Sequence, residues 1–351
     1  MKRVAGLDIV RVIAILFVIS VHYFINTTFY TIPTTGKTMG ILLAFRWLFY
    51  TCVPLFMILT GYLNRNKEPN KKYYTGIKKV LTSYFFISII CILVRIFYFK
   101  EERRILYWLI SPFNFTADGY SWYIEMYIGL FLLAPFLNVL YKGLETKEKK
   151  QLLIGTLLIL TGLPAVFNNY NILGLNKVEI FPNWWKEIYP ITYYFIGSYI
   201  GEYKPKANKK YTIFYIFLVL LIQTSCFYLL VDGKSFSYNF YDGYGSALTA
   251  ILSILIFITF YDIDIKNKFV SKLITSISLC SLDMYLFSYL IDLKIAEKLK
   301  ESLSTPKELL LHMIPTIITI FVICYLISLM KKIIFEIPEK FKKFKKTQKT
   351  W

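Results

Sequence analysis

The chain keeps returning to apolar runs of bilayer length, separated by short charged segments, and this recurrence limits its fold more than any other feature. A hydrocarbon core of about 30 Å needs about 20 residues at about 1.5 Å per residue. Ten such runs are placed at 7–25, 40–63, 80–99, 121–141, 151–167, 188–202, 211–231, 244–261, 273–292 and 308–330. Backbone groups in lipid must bond within their own segment, so runs of this length form helices. The expected fold is all-α, a polytopic transmembrane bundle of about ten spans. It occupies residues 1–335, and a basic tail follows at 336–351. The first run is followed by no small-residue cleavage site, so it is expected to remain as an uncleaved span. No folded extramembrane domain is expected.

The formal charge of +19 raises a nucleic-acid reading that its distribution rejects. Alternate segments between the runs hold 27 of the 41 Lys and Arg residues, and the opposite set holds 11. That asymmetry is the positive-inside pattern and puts both termini in the cytoplasm. The basic charge then answers to topology and anionic lipid, and the FKKFKK tail lies on the inner leaflet. The expected location is the cell membrane, and the Lys-, Ile-, Tyr- and Asn-rich composition points to a low-GC bacterium. The five cysteines all fall in predicted spans without metal-ligand spacing and read as apolar fillers. With only His22 and His312 as histidines, no metal is expected.

The first run, Leu7 to Ile25, carries Asp8, Arg11 and His22. Ionisable residues inside a membrane mark function by default. Asp8, Arg11, Ile15, Val18, His22 and Asn26 follow one another at steps of three or four, which places them on one helical stripe. Lipid would penalise that stripe, so it should face protein or a wet cavity. Arg11 and His22 would stand about 16 Å apart along the axis. One could hold a charged end of a ligand while the other works at its reactive end. Bland readings exist for both: Arg11 can snorkel and pair with Asp8, and His22 can hydrogen-bond between helices.

Further polar groups recur along the chain. Gly61 and the Gly197–Gly201 segment suit close helix packing, and Pro54 frees a carbonyl. The segment 64–79 is densely basic, either a topology signal or a landing site for a polyanionic molecule. Glu125, near the outer end of the fourth run, could serve as acid, base or partner for an Arg. The segment 168–187 sets Asn168, Asn169, Asn171 and Asn183 beside Trp184 and Trp185, which suits sugar recognition or a plain interfacial belt. Ser278, Ser281, Asp283, Tyr285 and Ser288 form a polar stripe on the ninth run. No phosphate loop, zinc pattern or nucleophile elbow is present. A neutral His22 suits a general base on a hydroxyl or an acyl carrier. A transporter would use the same groups as a proton relay, and the residues alone leave both open.

Arg11, ten residues and then His22, within LDIVRVIAILFVISVHYF, resembles the opening of the membrane acyltransferase-3 family. PLFMILTGYL at 54–63 resembles that family's P-L-F-F-x-x-S-G-Y-L block, with Thr60 in the Ser place. Ser121 to Ile124 resembles its H-L-W-Y-L block, and Tyr194 to Ile200 its Y-F-x-x-G-x-Y block. Ser281 to Ser288 resembles its late S-x-x-x-Y-L-x-H block. The ordered set covers nearly the whole chain. Tyr120, Ser121 and Ser288 depart from it, standing where relatives often carry His, Leu and His.

The resemblance implies ten helices and an acyltransferase that moves an acyl group, usually acetyl, from cytoplasmic acyl-CoA. The acceptor is a hydroxyl of a cell-envelope or extracellular polysaccharide. It implies catalytic roles for His22 and Glu125, and CoA binding by Arg11 and Arg65. Trp122, Tyr123 and Tyr285 are implied on the acceptor side. Acetyl-CoA enters as donor substrate, and the envelope glycan, membrane lipid and other polysaccharide-synthesis proteins are the expected partners. Many relatives carry a fused extracellular esterase-like domain, and this chain is expected to be a stand-alone version. The rival class is a transporter or exporter of a glycan or lipid-linked intermediate, though inverted repeats are not evident.

Overall fold

The computed structural model describes residues 3–168, 179–231, 233–236 and 243–336. Asn169, Asn171 and the tail beyond Glu336 lie outside the described residues. Within them the chain forms thirteen α-helices. In order these are α1 (Ala5–Ile25), α2 (Gly36–Tyr50), α3 (Cys52–Asn64), α4 (Lys71–Tyr74), α5 (Ile77–Phe97), α6 (Ile105–Ile110) and α7 (Trp122–Gly143). Then come α8 (Lys147–Phe167), α9 (Tyr189–Tyr203), α10 (Lys209–Val231), α11 (Ala247–Phe260), α12 (Lys268–Ser302) and α13 (Pro306–Lys331). Among the described residues there is no sheet, and the single bridge is Pro33 with Ser235.

Among the described residues eight helical segments are long and apolar enough to cross a membrane, and each matches one predicted run. The other two predicted runs, 188–202 and 244–261, correspond to α9 and α11, which are shorter at 15 and 14 residues. The protein is a multi-pass membrane protein.

α2 and α3 form one span of 29 residues, broken at Thr51. Pro54 is the reason: without an N–H it cannot bond the Tyr50 carbonyl. The ladder resumes with Leu55 N–H on the Thr51 carbonyl at 3.0 Å.

The tightest crossing is α3 on α9. A Cβ built on Gly61 would stand 2.0 Å from the Tyr194 carbonyl oxygen, and one on Gly197 would stand 2.0 Å from that of Ile58. Only glycine permits this approach, as the small-residue pattern predicts. Ser198 Oγ adds a bond to the Gly61 carbonyl at 3.4 Å. α1 runs through the centre, packed on α2, α3, α12 and α13.

Charges inside the bundle have company, as their desolvation demands. Lys331 Nζ reaches Asp283 at 2.6 Å and Ser83 at 2.9 Å, tying α13 to α12 and α5. Arg95 forks onto Glu101 at 2.8 and 3.0 Å and donates to the Ala117 carbonyl at 2.8 Å. The Arg46 guanidinium sits over Trp47, Tyr50 and Phe236 at 4.4, 4.1 and 4.7 Å, a cation held by aromatic faces.

Candidate active site

α1 presents its polar stripe to a cavity of about 360 Å³. Arg11, Val18 and His22 line it from that stripe. α3 supplies the facing wall with Phe56, Leu59 and Thr60, and α7 supplies Trp122, Tyr123 and Tyr127. Ser281 and Tyr285 of α12 close it, with Tyr244 ahead of α11. Its walls are mostly apolar, and ten residues of α1 separate Arg11 from His22. Cys52, expected as a filler, also lines it.

At the Arg11 end the charges form a small network. Arg11 Nη1 donates to Ser278 Oγ at 3.0 Å, and Ser278 Oγ donates to Asp8 at 2.6 Å. Asp8 also receives a fork from Arg3 at 2.5 and 2.8 Å. Arg11 itself stands 3.8 Å from Asp8. It therefore keeps a side chain a quarter exposed and a guanidinium only partly satisfied by protein.

The His22 end is more deeply buried. The imidazole is buried and stacks on the Tyr120 ring, with centroids 3.6 Å apart and planes at 26°. Its Nδ1 faces the buried Asp292 carboxylate at 3.6 Å. Tyr120 Oη donates to the same Asp292 oxygen at 2.9 Å and accepts from Asn26 Nδ2 at 3.0 Å. Asn26, Tyr120 and Asp292 thus form one chain of bonds beside His22. At 3.6 Å no hydrogen bond is made, and the buried Nδ1 has no hydrogen-bond partner; a carboxylate so placed can orient an imidazole once the contact tightens.

Local structure explains how Tyr120 reaches this position. Asp118 accepts from the Tyr120 N–H at 2.9 Å and from Ser121 Oγ at 2.5 Å, turning the chain just before α7. Burial raises the Asp118 carboxyl above its usual range, and these two bonds offset only part of the rise. Arg95 clamps the neighbouring Ala117 carbonyl, and Tyr285 Oη donates to the Tyr120 carbonyl.

Five of the seven residues singled out from sequence therefore line one cavity: Arg11, His22, Trp122, Tyr123 and Tyr285. Glu125 does not join them. It is exposed in the first turn of α7, where a carboxylate favours the helix N-terminus. The carboxylate beside His22 is Asp292 instead. Arg65 also stands off the cavity. It caps the end of α3, donating to the Tyr62 carbonyl and lying 4.9 Å over the Tyr62 ring. Asp292 had a signal: Ser281, Tyr285, Ser288 and Asp292 follow at helical steps, so the α12 stripe continues one turn further. Asp283 leaves that stripe for Lys331.

Asn168 and Asn183, whose amides suit either sugar recognition or a plain interfacial segment, bond to each other and to the chain beside them. Asn168 Nδ2 donates to the Phe181 carbonyl and to Asn183 Oδ1, and Asn183 donates to Glu179.

A family model described as an acyltransferase domain matches residues 4–329. The chain belongs to the acyltransferase-3 family. No curated protein and no solved structure matches it. This membrane acyltransferase thus carries its polar α1 stripe, its glycine crossing and its α12 stripe inside the matched region, and the transporter reading is set aside. Among the described residues no group of three or more His, Cys, Asp or Glu side chains could hold a metal ion.

Proposed function

We propose that the enzyme transfers an acyl group, acetyl by family default, from acyl-CoA to a hydroxyl of an envelope glycan at the cell membrane. One observation carries the reading: a single largely apolar cavity joins a partly free guanidinium to an imidazole backed by a carboxylate. With Arg11 at the cytoplasmic end, its guanidinium pairs with a CoA phosphate. The thiol-bearing arm then runs along the apolar walls and brings the acyl carbon towards His22. About 16 Å of helix between the two groups suits an extended arm.

In this reading Asp292 holds His22 through Nδ1, leaving Nε2 for the acceptor. Nε2 takes the hydroxyl proton as the oxygen attacks the thioester carbonyl. The C–S bond breaks, and the proton on His22 passes to the leaving thiolate. The Asp292 carboxylate stabilises the transient imidazolium, and Tyr120 keeps the carboxylate in place. A distance of 3.6 Å without substrate is compatible with this role, since such contacts tighten in the reacting complex. Trp122, Tyr123 and Tyr285 wall the acceptor side.

The test is turnover by protein in nanodiscs with acetyl-CoA and glycan acceptors. Asp292→Asn should lower kcat about 10- to 100-fold, the range for losing a charged hydrogen bond, while Glu125→Gln leaves it within about twofold, as for a surface change. The opposite pattern would return the catalytic role to Glu125.

A further inference from the structure

A second cavity of about 240 Å³ adjoins the first. Lys186 and Glu187 line it beside Tyr50, Tyr189, Gly243 and Gly245. Glu187 is exposed and Lys186 half-buried, so this is a polar space in touch with solvent, and such a space admits water. The His22 cavity is mostly apolar by contrast. Tyr244 lines both cavities, so it stands between that water and the place where a thioester would react.

Tyr244 is firmly held there. Its ring stacks on Tyr50 at 4.4 Å and 7°, and on Trp122 at 5.7 Å and 22°. The Arg46 guanidinium caps Tyr50 in turn at 4.1 Å. A cation, two tyrosines and a tryptophan thus form one column from α2 to the first residue of α7. Tyr189 of α9 meets the Tyr244 ring at 5.5 Å, and Tyr193 Oη donates to the Tyr244 carbonyl at 2.6 Å. The residues on either side are glycines for a reason: Gly243 has φ +116°, and a Cβ on Gly245 would stand 3.2 Å from the Thr161 carbonyl oxygen. With both faces covered, the ring offers a ligand no stacking surface. It makes a closed wall.

We propose that Tyr244 is a specificity-determining residue that reserves the acyl group for the acceptor hydroxyl and keeps water from taking it. The proposal rests on the acyl-transfer reading above. Water in the His22 cavity would act in the acceptor's place: its oxygen attacks the thioester carbonyl, Nε2 of His22 takes its proton, and the C–S bond breaks. The proton passes to the leaving thiolate, giving free CoA and a carboxylic acid. A hydroxyl follows the same route, so the chemistry does not separate the two, and exclusion of water has to. The donor arm fills the Arg11 end. The column closes the side towards Lys186 and Glu187 and backs Trp122, a cavity residue that is itself exposed.

The experiment uses the full chain in nanodiscs with acetyl-CoA and no acceptor. It reads release of CoA and, separately, modification of Cys52 by a water-soluble methanethiosulfonate, followed at that residue by mass spectrometry. Cys52 lines the His22 cavity, so its labelling reports access from water without any turnover. Tyr244→Ala should raise both signals severalfold, and Tyr244→Phe, which keeps the ring, should hold both near the wild-type level. Ala165→Leu, which grows into the second cavity from α8, should bring Tyr244→Ala back towards wild type. Where Tyr244→Ala does not fold, Tyr244→Leu is read in the same way. No rise of either signal in a folded variant that still transfers to an acceptor overturns the partition and leaves the acyl-transfer reading standing. A rise in labelling without a rise in release, in a variant that still transfers, overturns the role in specificity. Labelling that rises severalfold while neither protein releases CoA, with or without acceptor, supports the partition and overturns the acyl-transfer reading.

Discussion

The imidazole of His22 meets a tyrosine face, a carboxylate and a cavity, and each contact predicts a separable defect. His22→Ala removes the proposed general base and should lower kcat by about 10²- to 10⁴-fold, the usual worth of general base catalysis. Donor affinity should stay, because Arg11 stands three helical turns away. Tyr120→Phe keeps the ring on His22 and deletes the bonds to Asp292 and Asn26, so its loss should be about tenfold and smaller than that of Asp292→Asn. Steady-state kinetics on the three variants checks the order. Arg11→Ala should do the converse, raising donor KM about tenfold or more by loss of a charge-assisted bond while the maximal rate at saturating donor changes far less. A drop in kcat without a change in donor KM would remove Arg11 from the donor end.

At the scale of elements, the α3–α9 crossing holds one wall of the cavity. Gly61→Ala or Gly197→Ala drives a methyl group into a carbonyl 2.0 Å away, and backbone cannot yield as a side chain does. Each should cost about 1–3 kcal/mol or more, as overpacking does. Gly155→Ala in α8, whose Cβ meets nothing within 4 Å, should stabilise by about 0.5–1 kcal/mol, the cost of glycine inside a helix. Thermal unfolding in detergent distinguishes the two outcomes. The Asp283–Lys331 pair makes a second element-scale test. Asp283→Leu alone strands a buried ammonium and should cost about 3–5 kcal/mol, and adding Lys331→Met should recover most of it. The glycines of the crossing and the break at Pro54 were legible because each depends on what a single residue lacks, a Cβ or an N–H. The α1 stripe was legible because helical periodicity puts Arg11 and His22 on one face. Asp292 was not read as the partner of His22, since that pairing joins residues 270 apart and depends on how α12 crosses α1. Glu125 drew the role as a carboxylate near the outer end of a span, but its exposed place in the first turn of α7, off the cavity, appears only in three dimensions.

Across the whole molecule, run length gave the spans, and the match over residues 4–329 agrees with the ordered blocks read from the chain. The helices α9 and α11 were read as full spans, yet they are shorter and sit against neighbours rather than lipid: α9 is largely buried. Packing against α3, α8 and α10 supplies what their length does not. In the proposed orientation, which the charge asymmetry supports, the Arg11 end of the cavity faces the cytoplasm. A membrane-impermeant thiol reagent should therefore label Lys67→Cys in spheroplasts only after lysis and Ser304→Cys before it, and reversal of the two would put the donor end on the wrong side. The most direct measurement of the central claim is release of free CoA from acetyl-CoA by the purified acyltransferase in nanodiscs, with glycan acceptor, comparing wild type with His22→Ala. Acceptor-dependent release by the wild type that disappears in a folded His22→Ala variant is the predicted result. Equal release by both proteins would contradict the assignment of His22, and with it the reading of this cavity as the place where the acyl group is transferred.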